Sequence, residues 1–138
     1  MRILGLDLGT KTIGVAISDP FGWTAQGVKT IQRVGLKKDI EELKIIIDEY
    51  KVEKIVLGMP KNMNGTIGEA GERSISFAEI LKNKTGLEVI FEDERLTTAA
   101  AQRTLIEADM SRKKRKKVVD TVAATYILQT YLDRNSRQ

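Results

Sequence analysis

Apolar positions in this chain come first as short dense runs and later at helical spacing. Ile3, Leu4, Leu6 and Leu8 crowd the first run, Met1 to Thr10, the composition of a strand buried on both faces. Ile13, Val15 and Ile17 alternate within Lys11 to Ser18 and predict a second strand. A third, Trp23 to Ile31, follows the turn Asp19-Pro20-Phe21-Gly22. The short connections make these a meander of antiparallel hairpins. Leu36, Ile40, Leu43, Ile47 and Tyr50 then recur at helical spacing, predicting an amphipathic helix over about 36–50. Lys54 to Gly58 is a short buried strand, reached by a helical crossover and so expected parallel to the first. Pro, Asn and Gly mark 59–68 as a loop. A helix over about 69–84 presents Ile75, Ala78 and Leu81/Lys82 and stops at Gly86. Leu87 to Glu92 is a fifth strand, and helices over about 97–109 and 116–133, joined across a basic run, finish the chain. A meander followed by alternating helix and strand predicts an α/β fold with a mixed sheet, in one domain spanning 1–138.

Composition narrows the chemistry. The 138 residues contain no cysteine and no histidine, which excludes thiolate metal sites, disulfides, an imidazole base and the usual zinc ligands. A bound metal would be held by oxygen, which favours Mg²⁺ or Mn²⁺. No apolar run approaches the ~18 residues of a membrane span, and the N-terminus lacks a signal-peptide plan, so a cytoplasmic location is expected. The net charge is +4, yet Arg112-Lys113-Lys114-Arg115-Lys116-Lys117 alone holds six positive charges, so the rest of the chain sums to −2. The basic pI reports one patch.

Three acids stand where acids are costly. Asp7 interrupts the first apolar strand, and burying an unpaired carboxylate costs several kcal/mol. Asp93-Glu94-Arg95 follows directly on the fifth strand. Because the first strand runs parallel to the later ones, their C-terminal ends share the sheet edge at which open α/β sheets bind ligands. Asp120 shares its helical face with Ala123, Ala124 and Ile127, an apolar face that rarely carries a carboxylate. Each acid also has a structural reading: Asp7 capping its own turn, Glu94 pairing with Arg95, Asp120 favoured near a helix N-terminus. Together, three carboxylates without His or Cys suit chemistry with two divalent ions, one activating water and one stabilising the leaving oxygen of a phosphodiester. Arg112 to Lys117 fits phosphate contact, since cations at a helix N-terminus oppose the macrodipole and six like charges repel.

Leu4-Gly-Leu-Asp-Leu-Gly-Thr10, Gly58-Met-Pro-Lys-Asn-Met-Asn-Gly65, Asp93-Glu-Arg-Leu-Thr-Thr98 and Asp120-Thr-Val-Ala-Ala124 with Ile127-Leu128 resemble, in order and spacing, the motifs of the YqgF (RuvX) family. The resemblance covers almost the whole chain. It implies a ribonuclease H-like fold with a five-stranded mixed sheet of order 3-2-1-4-5, the second strand antiparallel to its neighbours. It implies Asp7, Glu94 and Asp120 as catalytic and metal-binding acids. Nucleic-acid contact is expected from Lys61, Arg95 and Arg112 to Lys117. The family is described both as the nuclease maturing the 5′ end of precursor 16S rRNA and as a Holliday-junction resolvase, so precursor rRNA or branched DNA is the expected partner. Symmetric cleavage of a four-way junction would call for two active sites, and hence for a homodimer. Asp-Leu-Gly-Thr also resembles the phosphate loop of actin- and Hsp70-like ATPases, but those close two such domains around ATP, and this chain offers one. A nucleic-acid-binding module without nuclease activity would not need all three acids.

Overall fold

The structure is a computed structural model that describes residues 2–61, 64–94 and 112–135; over 112–120 it describes the backbone alone. Five strands form one sheet of order β3-β2-β1-β4-β5. They are β1 (Arg2–Leu8), β2 (Thr12–Ser18), β3 (Ala25–Gln32), β4 (Val52–Met59) and β5 (Glu88–Asp93). β2 is antiparallel to β1 and β3, whereas β4 is parallel to β1 and to β5. Among the described residues three helices flank the sheet: α1 (Leu36–Tyr50), α2 (Glu69–Thr85) and α3 (Arg112–Asn135). The mixed sheet, its order and its directions are those expected from the sequence.

Alternation along each strand sends side chains to two unlike layers. Leu4, Leu6, Val15, Ile55 and Leu57 pack with Leu43, Ile47, Phe77 and Leu81 of α1 and α2. On the other side Ile3, Ala16 and Val56 meet Ala124, Ile127, Leu128 and Tyr131 of α3. Here the helix comes unusually close: a Cβ added at Gly5 would stand 2.6 Å from Leu128 Cβ and 3.2 Å from the Ala124 carbonyl oxygen. Only glycine admits that approach. The far end of α3 is pinned to β5 by Arg134, whose Nη2 donates to Glu92 Oε2 at 2.5 Å; Glu92 is 2% exposed.

Two local expectations change. The buried face of α2 is Ser74, Phe77, Ala78 and Leu81, and Ile75 is 38% exposed. Phe77 fixes this rotation, because a buried aromatic ring covers more area than an isoleucine. The basic run, expected as a connection ahead of the last helix, is itself helical: Arg112 to Lys117 are the first turns of α3. Lys and Arg are good helix formers, and no Gly or Pro interrupts them. The helix expected over 97–109 lies outside the described residues.

Candidate active site

Asp7 is the penultimate residue of β1, half-buried, on the same side of the sheet as Ile3 and Gly5, which face α3. Its partner in β2 is Gly14, and Gly14 pairs in turn with Thr30 of β3. On the other flank Leu6 pairs with Leu57, and one further step of that parallel register sets Asp7 beside Gly58. Thr30, Gly14, Asp7 and Gly58 therefore form a row across the sheet, with neighbouring strands ~4.8 Å apart.

Glu94 reaches this row from the end of β5. A Cβ added at Gly58 would lie 2.9 Å from Glu94 Oε1 and 3.2 Å from its carboxyl carbon. The missing side chain of Gly58 is thus the space in which the Glu94 carboxylate sits, one strand from Asp7. Asp93 belongs to the opposite side: it pairs with Met59, whose sulfur lies against the position of Gly71 in α2, and its carboxylate meets Lys61 Nζ at 3.7 Å. Alternation therefore separates the two adjacent acids and puts Glu94, like Glu92 before it, on the α3 side.

The third acid comes from α3. The Thr121 hydroxyl lies 2.9 Å from that of Thr30, so this turn of the helix crosses the sheet at the Asp7 row. Asp120 is the preceding residue of the same helix. Its side chain lies outside the described residues, as do the side chains of Arg112 to Lys117 and the whole of Arg95. Among the described residues no group of three or more acids that could hold a metal ion is found.

The donor chemistry fits a hard divalent cation. Asp7 and Glu94 offer carboxylate oxygens only, the ligand class of Mg²⁺ and Mn²⁺, and the cradle at Gly58 leaves the Glu94 carboxyl its room. Lys61 stands at the same sheet edge, its ammonium turned to Asp93. Two features escaped the sequence reading. One is the cradle, for which a glycine closing the run Ile55-Val-Leu-Gly58 was the available signal. The other is a buried Asp39 joined to Arg33, six residues earlier and not flagged by any motif.

Comparison with known proteins places the chain in a family and its fold among solved structures. Residues 1–134 match the family model RuvX, described as Holliday junction resolvase. A protein of Clostridioides difficile (strain 630) is 67% identical over 132 residues, covering 96% of this chain and 94% of its own. One of Clostridium botulinum (strain Alaska E43 / Type E3) is 63% identical over 137 residues, covering 99% and 100%. Both carry the name "Putative pre-16S rRNA nuclease". Among solved structures, T. thermophilus RuvC in complex with Holliday junction substrate superposes with a TM-score of 0.61 at 8% identity, covering 97% of this chain and 96% of its own. The Fowlpox virus resolvase with substrate Holliday junction DNA gives 0.60 at 14%, covering 97% and 98%. At such identities these neighbours establish the fold, the ribonuclease H-like arrangement expected from the sequence.

Proposed function

Since the chain belongs to the RuvX family, we propose that it is a divalent-metal-dependent nuclease that hydrolyses phosphodiester bonds of structured nucleic acid and matures the 5′ end of precursor 16S rRNA. The observation that carries the reading is the Glu94 carboxylate lying over Gly58, one strand from Asp7 and facing α3. Asp7, Glu94 and Asp120 hold the metal, Mg²⁺ or Mn²⁺. When bound, two such ions would activate water and stabilise the leaving oxygen of the phosphodiester. The acids sit on two strand ends and a packed helix, so their oxygens are held by rigid elements before substrate arrives.

Arg112 to Lys117 extend α3 from Asp120 toward its N-terminus, so the proposed phosphate contacts and one metal ligand share a single helix. Lys61 and Arg95 are assigned to the same nucleic-acid surface. Among the described residues no helix is long and apolar enough to cross a membrane, and the proposed reaction belongs with the cytoplasmic location expected from the sequence. The names of the relatives favour precursor rRNA as substrate. The family description and the junction-bound neighbours favour a second reading, resolution of four-way DNA junctions, in which a homodimer would supply two sites.

The test is a side-by-side assay of the purified protein on a precursor-rRNA 5′ segment and a four-way DNA junction, with Mg²⁺, Mn²⁺ or chelator. Cleavage of the rRNA segment that stops in chelator is expected. Asp7→Asn, Glu94→Gln and Asp120→Asn should each reduce cleavage by at least ~100-fold while nearly preserving affinity. Turnover persisting in chelator would sink the reading. Replacing Lys113, Lys114 and Lys116 together with Gln should raise the substrate concentration needed. On a duplex it should also lower the salt slope by about one unit for each phosphate-binding charge removed. An unchanged affinity and slope would remove the patch from the mechanism.

A further inference from the structure

Arg33, the residue after β3, serves several elements at once. Its Nε donates to Asp39 Oδ2 at 3.0 Å and its Nη1 to the carbonyl of Gly9 at 2.8 Å. Its backbone N–H donates to the Lys11 carbonyl at 2.9 Å. The guanidinium stands 5.8 Å from the centroid of the Phe77 ring, on α2. Asp39, in the first turn of α1, is 1% exposed, and its second oxygen accepts the Val34 N–H at 3.2 Å. Gly9 itself closes the turn by donating to the Thr12 carbonyl at 2.8 Å. One residue thus grips both sides of the turn that follows Asp7, and a buried carboxylate holds that residue in place.

Stability alone is a poor reason for this arrangement. Asp39 is buried and Arg33 half-buried, and the cost of desolvating such a carboxylate offsets much of what its ion pair gains. What the pair supplies is geometry: a planar fork of donors with one allowed direction. The carbonyl it holds belongs to the residue two positions beyond Asp7. Arg33 also lies by Phe77 on the α1–α2 side, whereas Asp7 faces α3. It therefore acts on Asp7 through the backbone.

We infer that Arg33 and Asp39 are positioning residues for the metal site: they fix the turn after β1 so that Asp7 keeps its place beside Gly58 and Glu94. The inference rests on the nuclease reading above. In sites of this kind a displacement of ~1 Å costs about 100-fold in rate.

Arg33→Met, Arg33→Lys and Asp39→Asn test it, each compared with the unaltered protein for cleavage, for melting, and for Mn²⁺ binding by calorimetry without substrate. Arg33→Met should lower kcat about 10- to 100-fold with KM within about two-fold, and weaken Mn²⁺ binding by roughly ten-fold. Arg33→Lys should restore part of both, since it keeps the charge and loses the fork. Asp39→Asn should fall between them. If Arg33→Met does not fold, the other two variants carry the same readouts. Folded variants with unchanged kcat and unchanged Mn²⁺ affinity would overturn the inference. So would a raised KM at constant kcat, which would make Arg33 a contact for nucleic acid. An unaltered protein that cuts nothing would defeat the nuclease reading separately. The Mn²⁺ titrations would still decide the positioning role, which equal affinities in all four proteins would refute.

Discussion

The two faces of the sheet are built on different terms. Under α1 and α2 the strands present Leu, Ile and Val, and two helices are held off by the bulk of these side chains. Under α3 they present Ile3 and Val56 but also glycine and alanine at Gly5, Ala16 and Gly58, where one helix lies almost on the backbone. The thick face holds the apolar mass. The thin face gives up burial, and in exchange brings a helix close to the sheet, as the proposed site of Asp7, Glu94 and Asp120 requires. Proximity there is a property of residues that are small, and stability on the other side a property of residues that are large.

The comparison can be broken most forcefully on the thick face. Leu57→Ala, at a fully buried position, should cost about 2–5 kcal/mol in denaturant unfolding while turnover per folded molecule stays near normal. Loss of turnover beyond the loss of folded protein would show that the faces are not separable. Gly5→Ala is the complementary change. Its Cβ would stand 2.6 Å from that of Leu128, and overpacking of this kind costs about 1–3 kcal/mol. Here the folded fraction should have lost most of its cleavage, because α3 must lift from the sheet. Asp7→Asn should act in the opposite sense on stability. With chelator present it relieves repulsion among carboxylates and should raise Tm by about 1–3 °C, a gain absent in excess Mg²⁺. Equal shifts in both buffers would take Asp7 out of the metal site.

The smallest effect belongs at the far edge of the sheet. There Asp19 Oδ1 accepts the N–H groups of Trp23 at 2.6 Å and Thr24 at 3.1 Å. The Thr24 bond, above all, holds this carboxyl below its ordinary value of 3.8. A depressed carboxyl contributes stability above its unfolded value and loses it as pH falls through the folded one. Asp19→Asn should therefore lower Tm slightly at pH 7, with the difference closing below about pH 3.8. Cleavage should be untouched.

Much of this was legible from residue patterns. Dense apolar runs gave the strands, connection lengths gave their directions, and an acid inside an apolar run marked Asp7. The rest depended on contacts between distant segments. The stripe of α2 could not be told between Ile75 and Phe77 until the sheet chose the larger ring. Asp39 reads as one more surface acid between Lys38 and Ile40, because its partner Arg33 precedes the helix and meets it only after folding. Glu94 and Asp93 are neighbours in sequence with equal chemistry, and only the pleat of β5 separates them. Gly58 shows the same limit: a glycine's contribution here is the space it leaves, and no spacing rule records what fills it.

β5 ends the sheet, and among the described strands it pairs on one side only. Such an edge invites a second chain to add on. Its six residues, Glu88-Val-Ile-Phe-Glu-Asp93, hold an apolar centre between acids. If two copies met edge to edge and antiparallel, centred on Ile90 and Phe91, Glu88 of each would oppose Asp93 of the other. In a parallel, in-register meeting Glu88 would oppose Glu88. Like charges directly across a ladder repel. The strand thus carries its own guard against recruitment into a larger sheet, a form of quality control written into Glu88 and Asp93 at its two ends.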